Sequence, residues 1–318
     1  MAETFDPKSC KVALLAGGRS GEREISITSG KGSRQALEEA GFPVTTLDPA
    51  KKEDLVELIN GDYDVAFLCT HGRYGEDGVL QGMLELIDLP YTGSGVWASA
   101  VAMDKSKAKL FYQRAGVDTP ASVTLRKGEP LDAAAIVEQL GEHSVVKAAC
   151  EGSTLGIYVV TQGSALEDAI NQAFEFDNTV VVEQFVEGNE YTVAVLGNED
   201  AQALPVINIV PAKGFYDFEA KYAPGGSEHI CPAPISEELT ATLQQNAVRA
   251  HKALECTGVS RTDFIVDANG KAWALETNTL PGMTGTSLLP DAARVAGMSF
   301  PQLCTKMVQD ALAAHPRA

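Results

Sequence analysis

The sequence predicts an α/β domain built on a parallel sheet, followed by two α+β units. Three observations lead there. Strand and helix patterns alternate over roughly the first hundred residues, as βαβ units do. The texture changes after Gly116 to strands separated by glycine-containing loops. Near the C-terminus, "RTDFIVDANGKAWALETN" (261–278) reads as two strands around a turn. The domains expected are 1–103, 104–182 and 183–318. A content of 45% hydrophobic residues supports ordinary cores without staples.

In order, "KVALLAGG" is an apolar strand ending in glycines, and "SITSGKGSRQALEEAG" a helix closed by Gly41. "VTTLD" is a second strand, and "DVAFLCTHG" a third, apolar enough to be covered on both faces. "GVLQGMLELIDLP" is a helix stopped by Pro90, and "MDKSKAKLFYQRAG" one ended by Gly116. Ligands of parallel sheets sit beyond the carboxyl ends of the strands. Two polar loops leave those ends, 17–24 and 71–78. Next come the strands of "SVVKAACEGSTLGIYVVT" and "NTVVVEQFVEGNEYTVAVLG", with the helix "SALEDAINQAFEF" between them. A long polar loop "PAKGFYDFEAKYAPGGSEH" and the helix "ELTATLQQNAVRAHKALE" precede the final hairpin.

The hairpin raises a chemical question. Asn269-Gly270 predicts a two-residue type I′ turn, since both positions of that turn need φ > 0. Asp263 then faces Glu276 and Arg261 faces Asn278, all on one side of the ribbon. Opposed carboxylates repel. A divalent cation between them reverses the sign, and hard oxygen donors suit magnesium shared with phosphates. Two blander arrangements also fit: a solvated outer face, or neutralisation by Arg261.

A net charge of −18 argues against nucleic-acid or anionic-membrane partners, though not against a phosphate ligand in a cationic cleft. No leader pattern and no run of about 20 apolar residues is present. The six cysteines have neither CxxC nor zinc-knuckle spacing and read as reduced thiols of a cytoplasmic protein. No Walker phosphate loop exists. "EGSTLG" (151–156) either forms an anion nest or closes an ordinary hairpin. Lys105, Lys147, Lys213 and Lys221 are candidate phosphate ligands. Lys147 stands out inside the apolar "SVVKAA", where it must reach water or an anion. Lys105, beside Lys107 and Lys109 on a helix, reads as solvated, and His71 as a structural histidine.

Six motifs, in order along nearly the whole chain, are similar to those of the D-alanine–D-alanine ligases of the ATP-grasp superfamily. They are "GERE.S" at 21, "HGRYGEDG" at 71, "LPYTGSGVWASAVAMDK" at 89, "EGSTLG" at 151, "YDFEAKY" at 216 and "ETNTLPGMTGTSLLP" at 276. The resemblance implies an ATP-grasp fold, in which the two α+β units clasp ATP. It implies an ATP-dependent ligase that joins two D-alanines through an acyl phosphate for peptidoglycan precursor synthesis. Two magnesium ions, replaceable by manganese, would sit on Asp263, Glu276 and Asn278. Lys105, Lys147 and Lys221 would meet phosphate; Glu183 and the Phe185-Val186 backbone would meet adenine, and Glu190 the ribose. Arg261 and the Gly282 N–H would form the oxyanion hole. Glu22, with His71 nearby, would take the first substrate's ammonium, and Ser287 with the Leu288 N–H the second carboxylate. A Glu22–Ser153–Tyr222 trio would close the loops, and a homodimer is expected.

This chain departs from the common pattern at Ala148-Ala149-Cys150, Leu280 and Gly285-Thr286. None of these removes an expected ligand. The alternatives are a relative that uses D-lactate or D-serine as second substrate, and a nucleotide-binding regulator without turnover. Tyr222 and Ser287-Leu288 speak against the first. The intact acids and lysines speak against the second.

Overall fold

The architecture is that of a computed structural model, which describes residues 5–152, 155–211 and 226–315. Strands β1 (Val12–Leu15), β2 (Val44–Leu47) and β3 (Val65–Leu68) form the expected parallel sheet, in the order β2-β1-β3. Every residue of β1 and β3 is buried, as their unbroken apolar runs require. Helix α1 (Arg23–Ala40) ends at Gly41 with φ 101°. It starts three residues before the expected Ser26, because the Ser26 N–H already donates to the Glu22 carbonyl at 3.0 Å. Helices α2 (Lys52–Asn60), α3 (Val79–Leu86) and α4 (Val96–Met103) follow.

Helix α5 (Lys105–Arg114) leads into the middle unit. It begins where the Asp104 carboxylate accepts from the Ser106 and Lys107 N–H groups at 2.9 and 3.3 Å. Strands β4 (Ser122–Arg126), β5 (Ser144–Ala148), β6 (Ile157–Val160) and β7 (Thr179–Gln184) form an antiparallel sheet, ordered β4-β7-β5-β6. Helices α6 (Ala133–Leu140) and α7 (Leu166–Ala173) cover the face carrying Val146, Val180 and Val182. The opposite face carries Lys147 and Glu183, diagonal neighbours on adjacent strands.

The last sheet runs β11-β10-β8-β12-β13, all antiparallel, with the short β9 (Gln202–Ala203) beside β8. Its strands are β8 (Gly188–Leu196), β10 (Ile207–Pro211), β11 (Ser227–Ile230), β12 (Val259–Asp267) and β13 (Ala272–Asn278). One face packs Tyr191, Val193 and Phe264 against α5 and helix α8 (Glu237–Ala253). The other face shares a core with β1, β3, α1, α9 (Leu288–Val295) and α10 (Phe300–Ala314). Burying one large side chain such as Ile207 of β10 is worth about 1.5–3 kcal/mol, so this shared interior ties the first and last sheets together. It sets the end of β3 and the start of α9 beside the hairpin.

The hairpin corrects the expected turn. Its loop has three residues, Ala268 to Gly270, with Asp267 N–H bonded to the Lys271 carbonyl at 3.0 Å. Of the loop residues only Gly270 has positive φ, 80°, so a type I′ turn is excluded. The Asp267 side chain decides this, accepting from Asn269 and Lys271 N–H at 2.8 and 3.1 Å and from Trp273 Nε1 at 3.0 Å. Phe264 consequently pairs with Ala274, one residue out of the expected register. A bulge at Leu275 then restores it, and Asp263 faces Glu276 while Arg261 faces Asn278. Two offsets cancel, and the face carrying the two acids comes out as predicted.

Candidate active site

The loops after β1 and β3, the start of α5, the hairpin and the start of α9 enclose a cavity of about 720 Å³. Glu22, His71, Lys105, Arg261, Glu276, Asn278, Gly282, Ser287 and Leu288 line it together. Lys147 and Glu183 lie outside this lining, in an ion cluster under α5. Phe185 and Val186 follow β7 in the link to β8, which carries Glu190. Ser153, Lys213, Lys221 and Tyr222 lie outside the described residues.

The carboxylate face is not a solvated one. Asp263 is 4% exposed. Arg261 donates from Nε and Nη2 to its two oxygens at 2.9 and 2.8 Å, and Thr192 Oγ1 donates to Oδ1 at 2.5 Å. Asn278 Nδ2 adds a longer bond to Oδ2 at 3.4 Å. Glu276 has Lys105 Nζ at 3.3 Å. A guanidinium and an ammonium thus supply the counter-charge that the opposed acids need. The donor set fits a hard cation: two carboxylates and an amide, all on one side of the ribbon. Among the described residues no three His, Cys, Asp or Glu side chains form a closed metal site. The arrangement therefore suits an ion that draws its remaining ligands from phosphate oxygens and water. To ligate one, Asp263 would give up Arg261, which stands at the cavity wall.

Lys105 is buried, contrary to the expectation of a solvated lysine, and so is Lys109. They stand four residues apart with Ala108 and Tyr112 on the same buried stripe of α5. Lys105 Nζ also donates to the Glu151 carbonyl at 2.8 Å. Burial works against its charge, but Glu276 outweighs it and raises the pKa. Lys147 reaches an anion as its strand demanded: Glu183, at 2.6 Å. Glu183 is 2% exposed, and Lys109 holds its other oxygen at 2.8 Å. Burial alone would raise the Glu183 pKa; the two lysines hold it below the ordinary carboxylate value.

Glu22 is buried where two loops meet. A Cβ on Gly72 would fall 2.6 Å from Glu22 Oε2, and one on Gly152 3.0 Å from it. Gly72, at φ 67°, and Gly152 thus bring their backbones close to this carboxylate. His71 lies beside Ser29, whose Oγ is 3.4 Å from Nε2. Burial, helped by the Arg261 charge, pushes its pKa down to about 4, so the ring is neutral at pH 7. Sequence reasoning passed over Glu76, although it lies inside the "HGRYGEDG" motif. It lines the cavity, accepts from the Gly72 N–H at 2.9 Å, and is pushed up to about 8 by burial and by Glu22.

At the far end, Gly282 packs against Ser287: a Cβ there would lie 2.8 Å from Ser287 Oγ. That hydroxyl engages Thr284 through its N–H at 3.0 Å and its Oγ1 at 2.8 Å. It does not cap α9, although Ser287 is the N-cap residue. Leu288, the first residue of α9, lines the cavity next to Ser287, and the side chain of the N-cap residue does not take up its N–H.

This convergence of acids, cations and a helix N-terminus agrees with what comparison gives. The model described as "D-ala D-ala ligase C-terminus" matches residues 111–309, and "D-ala D-ala ligase N-terminus" matches 49–94. The chain belongs to the D-alanine–D-alanine ligase family. A D-alanine–D-alanine ligase of Halalkalibacterium halodurans is 49% identical over 302 residues, 94% of this chain and 98% of that protein. One from Pelotomaculum thermopropionicum is 45% identical over 309 residues, covering 95% and 96%. Among solved structures, the D-alanine–D-alanine ligase from Bacillus anthracis complexed with ATP has a TM-score of 0.85 and 30% identity, covering 96% of this chain and 98% of that one. A D-Ala:D-Ser ligase from Enterococcus faecalis has a TM-score of 0.83 at 29% identity, covering 95% and 99%. The fold is that of the ligase family, with the parallel-sheet first domain and two antiparallel sheets expected of it.

Proposed function

We propose that this protein joins two D-alanines, with ATP as co-substrate, into D-alanyl-D-alanine for cell-wall precursor synthesis. The observation that carries this reading is the single cavity of about 720 Å³ where Glu22, Lys105, Arg261, Glu276, Gly282 and Ser287 converge. The carboxylate of the first D-alanine attacks the γ-phosphorus of ATP, giving an acyl phosphate and ADP. The amine of the second attacks that carbonyl, and phosphate leaves from the tetrahedral intermediate.

Glu22 pairs with the first ammonium, beside the neutral His71. Lys105, Lys147 and Lys221 meet phosphate oxygens as charge shifts toward ADP. Arg261 and the Gly282 N–H face the developing oxyanion. Ser287 and the Leu288 N–H hold the second carboxylate. Asp263, Glu276 and Asn278 would hold two magnesium ions, or manganese, whose chemistry is to screen the ATP phosphates. Glu183, the Phe185-Val186 backbone and Glu190 meet the adenosine. The Phe185 N–H already donates to the His143 carbonyl at 3.1 Å, so the Phe185 carbonyl and the Val186 N–H serve adenine. Ser153 and Tyr222 complete a closure with Glu22 that keeps water from the acyl phosphate.

The division into 1–103, 104–182 and 183–318 belongs to the same reading. So does a homodimer, supported by exposed Val79, Leu86, Val96 and Trp97 on α3 and α4. The −18 charge supports the absence of nucleic-acid and membrane partners, and no described helix is long and apolar enough to cross a bilayer. A cytoplasmic location is proposed with it, in keeping with six cysteines that form no disulfide.

The test is ADP release with Mg-ATP and D-alanine, L-alanine, or D-alanine plus D-lactate or D-serine. Release with D-alanine alone, with dipeptide as product, is expected. Mixed products made in preference to the dipeptide would move the assignment to another second substrate. Silence with every amino acid would overturn turnover altogether.

A further inference from the structure

One buried cation has no part in the reaction as described. Lys109 is 2% exposed and donates to Thr119 Oγ1 and to Glu183 Oε1, each at 2.8 Å. Lys147 takes the other Glu183 oxygen at 2.6 Å, from the neighbouring strand. Lys105, one helical turn before Lys109, is paired with Glu276. Three buried ammonium groups therefore meet two carboxylates, and the surplus positive charge is what an incoming polyphosphate would neutralise. Lys105 and Lys147 are the phosphate ligands in the functional reading; Lys109 is hemmed in by Thr119 and stays behind.

We propose that Lys109 is a positioning residue that keeps Glu183 a carboxylate once nucleotide engages Lys147, and so makes the site select a 6-amino purine. The proposal rests on the reading that places adenine at Glu183. A buried carboxylate without a counter-charge takes up a proton. As a carboxylate, Glu183 accepts an N–H from a 6-amino group and repels a 6-oxo group. As a carboxylic acid it donates instead and tolerates a 6-oxo purine. Lys109 fixes which of these the nucleotide meets, and its second bond to Thr119 fixes the direction of the ammonium. Burial lowers the Lys109 pKa while Glu183 supports the charge, so the pair is interdependent.

The experiment measures nucleoside diphosphate release from ATP and from ITP, with saturating D-alanine and magnesium, at pH 6.5 and 8.5. Lys109→Met is expected to lower the ATP:ITP ratio of kcat/KM by about tenfold or more. The loss is expected to be deeper at pH 6.5, with the KM for D-alanine unmoved. Lys109→Arg should retain the wild-type ratio. Equal loss on both nucleotides, or an unchanged ratio in a folded Lys109→Met protein, overturns the proposal. A measurement on the wild type needs no such variant. The 13C carboxyl resonance of Glu183, identified by its loss in Glu183→Gln, should keep its carboxylate position when ATP binds at pH 6.5. A move to the carboxylic-acid position overturns the proposal even if no Lys109 variant folds. A wild type that binds ATP over ITP but makes no dipeptide would sink the ligase reading and leave this one standing.

Discussion

Replacing Gly282 by alanine tests the second-substrate end of the site. The new Cβ would stand 2.8 Å from Ser287 Oγ and 3.6 Å from Ser287 Cβ. Ordinary contact begins near 3.4 Å, so the hydroxyl must retreat by about 0.6 Å. Gly282 lies outside the left-handed region, so alanine adds no backbone strain and the whole effect falls on Ser287. That retreat stretches the bonds to the Thr284 N–H and Oγ1, now at 3.0 and 2.8 Å. Losing one such bond costs about 0.5–1.5 kcal/mol of stability. Catalysis should suffer more, since a 1 Å misplacement costs on the order of a hundredfold. We expect kcat/KM for the second D-alanine to fall by roughly ten- to a hundredfold, with the first substrate's constants less affected. Steady-state ADP release at varied D-alanine, with a urea midpoint on the same sample, separates the two effects. A folded Gly282→Ala protein with wild-type kcat/KM for the second substrate would refute the placement of Ser287.

Three further outcomes are expected. Glu276→Gln should leave the far-UV spectrum unchanged and cut turnover by about a hundredfold or more, because the buried Lys105 loses its partner and the donor set a charge; wild-type rates at ordinary magnesium would sink the metal assignment. Glu76 binds more protons folded than unfolded between its ordinary value of 4.5 and about 8, so it costs stability as pH rises across that window. Urea midpoints at pH 6 and 8.5 should therefore show Glu76→Gln gaining on the wild type as pH rises, and parallel curves would remove the burial argument. Phe264→Ala empties a fully buried position between β12 and α8 and should cost about 3–5 kcal/mol in denaturant unfolding; a loss below 1 kcal/mol would mean that this face is not a core.

Periodicity made much of the fold legible. The apolar run of β3 announced a strand covered on both faces, and Lys147 inside "SVVKAA" announced a need for water or an anion, which Glu183 meets. The turn of the hairpin was not legible from Asn269-Gly270, because the Asp267 side chain organises a competing loop through three hydrogen bonds. Lys105 was legible but misread: Ala108, Lys109 and Tyr112 place it on the buried stripe of α5, and attention to charge alone hid that spacing. Glu76 sat in a quoted motif, yet its raised pKa depends on Glu22 from a different loop. Nothing local in the chain records that approach. The pairing of Arg261 with Asp263 was one of the open alternatives, and only the folded distances choose it.

The bulge at Leu275 bears on how this hairpin tolerates change. A two-residue turn without a bulge and a three-residue loop with one use the same number of residues between Asp263 and Glu276. One length of chain therefore supports two tips, and both leave the acids opposed. Substituting Asp267 to release its loop would let Asn269-Gly270 form the tighter turn while the bulge smooths out. The outer half of the ribbon slips by one residue, and the inner half stays in phase. The surface turn is thus free to drift in sequence, mechanically uncoupled from the face on which the two acids oppose each other.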